Sequence, residues 1–295
     1  MSALELPPDL RSRLRRLSLR PRRAAAGTGF GLHAGRVRGA GTEFAQYRTY
    51  QQGDDVRRID WRLYARSDHV FIRDAERESP AALWIVVDAS ASMSQADQDR
   101  PQWSRLDGAK RLAAALLEVA VRDGDRFGLV SVGADGARAS RLEAGARHRD
   151  RLLGELAGLT PQGVAAWSGA FDRAAERFSR EAIIAVLSDG FDEACVAAVE
   201  RQARAGRDVA LVQLLTADER DFPFHGGAVF EDPESGRRVL GHGPAMRAAF
   251  LSRFAEARTA QAARLRASGA RRVEHFLDES ADQPIRTLFQ PGRER

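Results

Sequence analysis

Two apolar runs of strand length, each stopping on a carboxylate, set the tightest limit on what this chain folds into. Ala82-Leu83-Trp84-Ile85-Val86-Val87 ends abruptly in Asp88, and Ala182–Leu187 ends in Ser188-Asp189-Gly190. Amphipathic stretches separate runs of this kind: Leu106 to Val121, with Leu112, Leu116 and Val119 on one face, then Ser168–Ser179 and Glu193–Ala205. Further strands are predicted at Phe127–Val132, Val209–Leu215 and Arg272–Leu277, with an edge strand near Ala137–Leu142. Continuous apolar strands alternating with amphipathic helices signal a mostly parallel sheet covered on both faces. Right-handed crossovers then give a doubly wound α/β domain. A hairpin, Ala228–Glu231 with Arg237–Leu240, and a long helix over Ala245–Ala267 complete the body.

Composition narrows the class. The chain has 295 residues, 43% of them hydrophobic, enough for a full core. Its single cysteine, Cys195, excludes a disulfide framework and a cysteine-built zinc site, and is expected to be a buried structural thiol. No apolar run reaches the roughly 20 residues that cross a bilayer. The arginine-rich start lacks the apolar stretch of a secretion signal, so the expected location is cytoplasmic.

The formal charge of +5 is unevenly placed, because residues 1–50 carry ten arginines against three acids. Residues 1–26 read as a basic arm, with Leu10, Leu14 and Leu17 at helical spacing. Such an arm either covers an apolar groove of its own protein, binds nucleic acid, or lies on an anionic membrane surface. Residues 27–80 form an extension, with a boundary near residue 80. Its glycine-rich stretch, residues 27–43, lacks the Gly-Lys-Ser/Thr of a phosphate loop. Beyond it, Asp54, Asp55 and Asp60 are interleaved with Arg57, Arg58, Arg62 and Arg66. Guanidinium neighbours hold such carboxylates ionised, which makes them poor general acids. A salt-bridged turn beneath Trp61 is the expectation, with a share in a partner surface as the alternative.

In a parallel sheet, ligands bind beyond the carboxyl ends of the strands. The i, i+2, i+4 spacing of Asp88, Ser90 and Ser92 sends all three the same way in an extended loop, and Asp189 reaches the same edge from another strand. Carboxylates and hydroxyls are hard ligands suited to Mg²⁺ or Mn²⁺. The alternative is structural: serines capping a helix and an aspartate holding a loop.

Asp-x-Ser-x-Ser after the first core strand, with Ser-Asp-Gly after a later one, resembles the metal-ion-dependent adhesion site of von Willebrand factor A-type domains. The segment Gly41-Thr-Glu43-Phe44, Arg48-x-Tyr50-x-x-Gly53-Asp54-Asp55-x-Arg57-x-Ile59-Asp60-Trp61 and Ala65-Arg66 resembles the signature of the bacterial domain-of-unknown-function 58 family, which joins it to an A-type domain. The resemblance runs from about Gly35 to about Phe289. It implies a metal site at Asp88, Ser90, Ser92 and Asp189, and a partner class, MoxR-type AAA+ ATPases, with the chain as an adaptor in assembling client proteins. One position departs. The threonine such domains supply from a second loop falls on Ala165, and Thr160 precedes the Pro-x-Gly turn.

Catalytic patterns fail. No Gly-x-Ser-x-Gly elbow is present, a phosphoaspartate site would need an aspartate where Ser90 stands, and the six histidines form no metal pair. The chain is therefore expected to be a non-enzymatic binding module. Its recognition face is expected at the strand ends, around Asp88–Ser92, Trp103, Thr160 and Asp189–Asp192, with the arm's polyanion binding as the alternative. Trp103 is read either as an interface anchor or as a cap of the following helix against the core.

Overall fold

The computed structural model describes residues 4–15, 17–19, 44–50, 56, 59–67, 69–75 and 81–289. The chain divides into two compact units, residues 1–25 with 81–295, and residues 26–80. In the smaller unit, β1 (Phe44–Thr49) pairs antiparallel with β2 (Phe71–Ala75), and α2 (Trp61–Ser67) lies between them in sequence. Asp60 starts that helix, its Oδ1 accepting the N–H groups of Arg62 and Leu63 at 3.0 Å.

The larger unit is built on a six-stranded sheet of order β10-β7-β6-β3-β4-β5. These strands are β3 (Ala82–Asp88), β4 (Arg126–Gly133), β5 (Gly136–Ala139), β6 (Ile183–Ser188), β7 (Asp208–Leu215) and β10 (Arg271–Phe276). All pairings are parallel except the antiparallel edge β4–β5. This is the doubly wound α/β architecture read from the sequence, with the chain order reversing at β3, between β4 and β6.

The strands read as unbroken apolar runs because both faces are covered. Leu83, Ile85 and Val87 enter one core and Trp84 and Val86 the other, as the two-residue period requires. The first core is closed by α3 (Arg105–Asp123), α4 (Ala146–Ala157) and α9 (Asp282–Phe289); the second by α5 (Ala170–Ala175) and α6 (Glu193–Arg204). The predicted helix over Ser168–Ser179 is shorter than expected. Gly169, at φ 72°, opens it, and i→i−3 bonds from Arg177 and Phe178 tighten its end. The helix α4 adds to those predicted, burying His148, Leu152 and Leu156 at four-residue spacing.

The N-terminal arm belongs to this unit. Its helix α1 (Pro8–Leu14) and the residues around it bury Leu6, Leu10, Leu14, Leu17 and Leu19 in the first core, against α3 and α9. Arg122 fastens the arm, donating to the Leu14 carbonyl at 2.6 Å and to that of Leu17. Arg13 pairs with Asp282 at 3.1 Å. The leucine face that a membrane-surface helix would need is therefore spent on the chain's own core.

Between β7 and β10 the chain runs through α7 (Ala217–Asp221), the hairpin β8 (Gly227–Glu231) and β9 (Arg238–His242), and the long α8 (Gly243–Ser268). Among the described residues, no helix is long and apolar enough to cross a membrane.

Candidate binding face at the strand ends

Strands β3 and β6 are neighbours in register, so their last residues meet at the carboxyl edge of the sheet. Asp88 is 1% exposed. Its carboxylate accepts the Ser90 N–H at 2.9 Å and the Ser188 hydroxyl at 2.6 Å. Burial, helped by the nearby Asp189 charge and opposed by those hydrogen bonds, pushes its pKa up to about 6. The hydroxyls of Ser90 and Ser92 lie 3.0 Å apart and bond to each other.

Asp189 is equally buried, and each of its oxygens has a donor. Oδ1 accepts the Phe191 N–H at 3.1 Å, and Oδ2 accepts Nη1 of Arg105 at 3.0 Å. Arg105, the first residue of α3, is 3% exposed. The same Nη1 donates to the Ser92 carbonyl at 3.1 Å, and Nη2 donates to Glu219. Glu219 in turn accepts the N–H and hydroxyl of Thr216, closing the cap of α7. One guanidinium thus ties the loop after β3, the end of β6 and the start of α7.

The second loop is anchored beside this cluster by backbone bonds, Ala91 N–H to the Gly163 carbonyl and Gln162 N–H to the Ala89 carbonyl. It presents Ala165, 6% exposed, at the position where the resemblance to A-type domains implies a threonine. Two apolar side chains remain open on these loops, Val164 at 55% and Phe191 at 50% exposure. Glu234, in the hairpin turn, reaches the Ser92 side chain, and burial followed by the charges of Asp189 and Asp192 raises its pKa.

The structure brings Asp88, Ser90, Ser92 and Asp189 together, as their spacing implied. Asp192 caps α6, accepting the Ala194 N–H at 2.7 Å. Trp103 is half-buried against the core, with the Arg111 guanidinium 4.0 Å from its ring centroid, and the cap of α3 is made by the next residue, Ser104, with Asp107. Thr160 is exposed and bonded to Gln162. In the smaller unit Trp61 is 62% exposed with Tyr64 edge-on beside it, and the turn expected beneath its ring falls largely outside the described residues. Asp54, Asp55 and Arg57 lie outside the described residues.

Sequence reasoning passed over Arg105, Glu219 and Glu234. A signal for Arg105 was present: a cation in the first turn of a helix opposes the helix dipole, so it needs acids from elsewhere.

A divalent ion fits this donor set poorly. Each oxygen of Asp189 already accepts a donor, one of them a guanidinium, the two hydroxyls bond each other, and Ala165 offers a methyl group. An ion bound to Asp189 Oδ2 at the usual distance of ~2.1 Å would lie within about 5 Å of a buried guanidinium. Among the described residues, no group of three or more His, Cys, Asp or Glu side chains is placed to hold a metal.

The parallel order, the single antiparallel edge and Asp-x-Ser-x-Ser at the end of the first core strand define a von Willebrand factor A-like domain. The model of the family described as "Protein of unknown function DUF58" matches residues 46–263, and the chain belongs to that family. It is 32% identical over 270 residues to the uncharacterized protein Rv1480 of Mycobacterium tuberculosis, across 89% of this chain and 83% of that one. Among solved structures it is similar to BatB from Bacteroides thetaiotaomicron, at 18% identity and a TM-score of 0.43 over 70% of this chain and 95% of that one. An aerotolerance-related membrane protein from Bacteroides fragilis is similar at 20% identity and a TM-score of 0.42, over 70% and 96%.

Proposed function

We propose that the chain is a protein-binding adaptor without turnover chemistry, which presents a client or itself to a MoxR-type AAA+ ATPase through the strand-end face. The observation that carries this reading is the make-up of that face. Phe191 and Val164 stand open on loops whose polar groups are held by one another, a pattern suited to docking a surface and not to activating a small substrate. Catalysis would need an open nucleophile beside a base, and the Ser188 hydroxyl that Asp88 accepts is fully buried. The nearest thiol, Cys195, is buried and its pKa is pushed well up by desolvation and by Asp88. The ATPase enters through the family resemblance alone.

The test is affinity capture from the source organism with tagged full-length protein, wild type beside Phe191→Asp and Val164→Asp, each in Mg²⁺ and in EDTA. A nucleotide control accounts for the ATPase's own Mg²⁺. Recovery of a AAA+ ATPase by wild type, reduced at least tenfold by either substitution, is the expected result. Recovery that ignores both substitutions would move the contact elsewhere, and recovery of nucleic acid alone would return the function to the arm.

A further inference from the structure

We propose that the cation of this site is built into the chain: the Arg105 guanidinium stands in for a divalent ion, and the strand-end loops bind no metal. The inference concerns the charge at the site and does not depend on which partner docks there.

Three observations converge on it. Arg105 opens α3, where the unpaired N–H groups of the helix already carry positive charge, so the helix dipole disfavours a cation there, and the one first-turn acid, Asp107, is engaged in the cap with Ser104. It is nonetheless buried, and its acceptors come from three separate places: the end of β6 through Asp189, the loop after β3 through the Ser92 carbonyl, and α7 through Glu219. Those acceptors explain why an arginine is tolerated at that position. A buried guanidinium is stable only when paired, and this one is paired through the very carboxylate that a metal would need.

Second, Asp189 keeps no oxygen without a donor. An ion entering there would either sit beside the guanidinium, cation against cation, or displace it and leave it buried with less than its present share of negative charge. Third, Ala165 removes a hydroxyl that a metal would use. The two features point the same way, one subtracting a ligand and the other supplying the charge. The arginine's planar fork holds the loops in one arrangement, as a coordinated ion would.

The experiment is a titration of full-length protein with Mn²⁺, read by the electron paramagnetic resonance signal of the free ion and by the thermal midpoint, with circular dichroism as the check on folding. Wild type and Ala165→Thr are expected to leave the free Mn²⁺ signal unchanged up to on the order of 1 mM, the weak end of oxygen-ligand sites. Arg105→Gln frees Asp189 and Glu219. It is expected to take up one Mn²⁺ with a rise in midpoint, and Arg105→Gln with Asp189→Asn to lose it again. Uptake at these loops by wild type or by Ala165→Thr would overturn the proposal, because the missing hydroxyl and not the guanidinium would then govern the site. A folded Arg105→Gln protein that stays silent would overturn it as well. Should Arg105→Gln fail to fold, the wild type and Ala165→Thr decide the matter between them.

Discussion

Two buried titratable groups, one on each side of neutrality's acid shoulder, give single residues a measurable weight. His275, on β10, is 3% exposed, and its Nδ1 has no hydrogen-bond partner among the described residues. Desolvation lowers its pKa from 6.5 to about 4. Between those values the unfolded chain takes a proton that the folded one refuses. Stability therefore falls as pH drops from 6.5 towards 4, by about 3 kcal/mol in full. Asp88 acts with the opposite sign. Its folded pKa near 6 exceeds the ordinary 3.8, so the folded state holds the extra proton between them. Its contribution rises as pH falls from 6 to 3.8, and above 6 its buried charge is a standing cost. Urea unfolding across pH 4–7 is expected to show His275→Gln flattening the acid loss and Asp88→Asn steepening it. Asp88→Asn should also raise stability at pH 7 by about 2–3 kcal/mol.

At this scale the sequence was legible where a residue's neighbours are fixed by strand spacing. Asp88, Ser90, Ser92 and Asp189 meet because period-two geometry and the parallel sheet leave them no other edge. Arg105, Glu219 and Glu234 were not legible. Their partners lie 84, 114 and, for Glu234 to Ser92, more than a hundred residues away, and only the folded crossovers bring them in. Ala165 was readable as a departure, but its meaning depended on Arg105.

Elements show the same division. The strands were readable from their runs because burial on both faces leaves no polar positions. The helix α4 was harder to read, since its three buried residues are spread among arginines and a glycine, Gly154. Packing between elements adds constraints that no single run carries. Gly128 on β4 faces Trp84 on β3, and a Cβ there would stand 2.5 Å from the indole ring. Gly128→Ala is expected to cost about 1–3 kcal/mol by overpacking, and Trp84→Ala about 3–5 kcal/mol by leaving a cavity. Both are measurable by denaturant unfolding with an unchanged slope. The arm is the element whose role composition misread most easily. Its seven arginines draw attention to polyanions, whereas the buried leucines are what fix its place. Leu10→Ala and Leu14→Ala are each expected to destabilise the larger unit by about 2–5 kcal/mol. An arm free for nucleic acid or lipid would leave the thermal midpoint unmoved by either change.

For the whole molecule, the topology brings the ends of β3 and β6 together at one edge of the sheet, and it is there that we propose a partner is met. The polar core of the face is sealed by its own arginine, while Phe191 and Val164 are left to the outside. An adaptor built this way would hold its loops in a binding-ready shape without a metal supply, and its partner contact would survive EDTA. The most direct measurement is hydrogen–deuterium exchange on the full chain, alone and with the AAA+ ATPase recovered by capture, in EDTA. The expected result is new protection confined to residues 89–104, 160–167 and 189–193. Protection on the arm or on the outer surface of α8, with those three loops unchanged, would contradict the strand-end face as the binding surface.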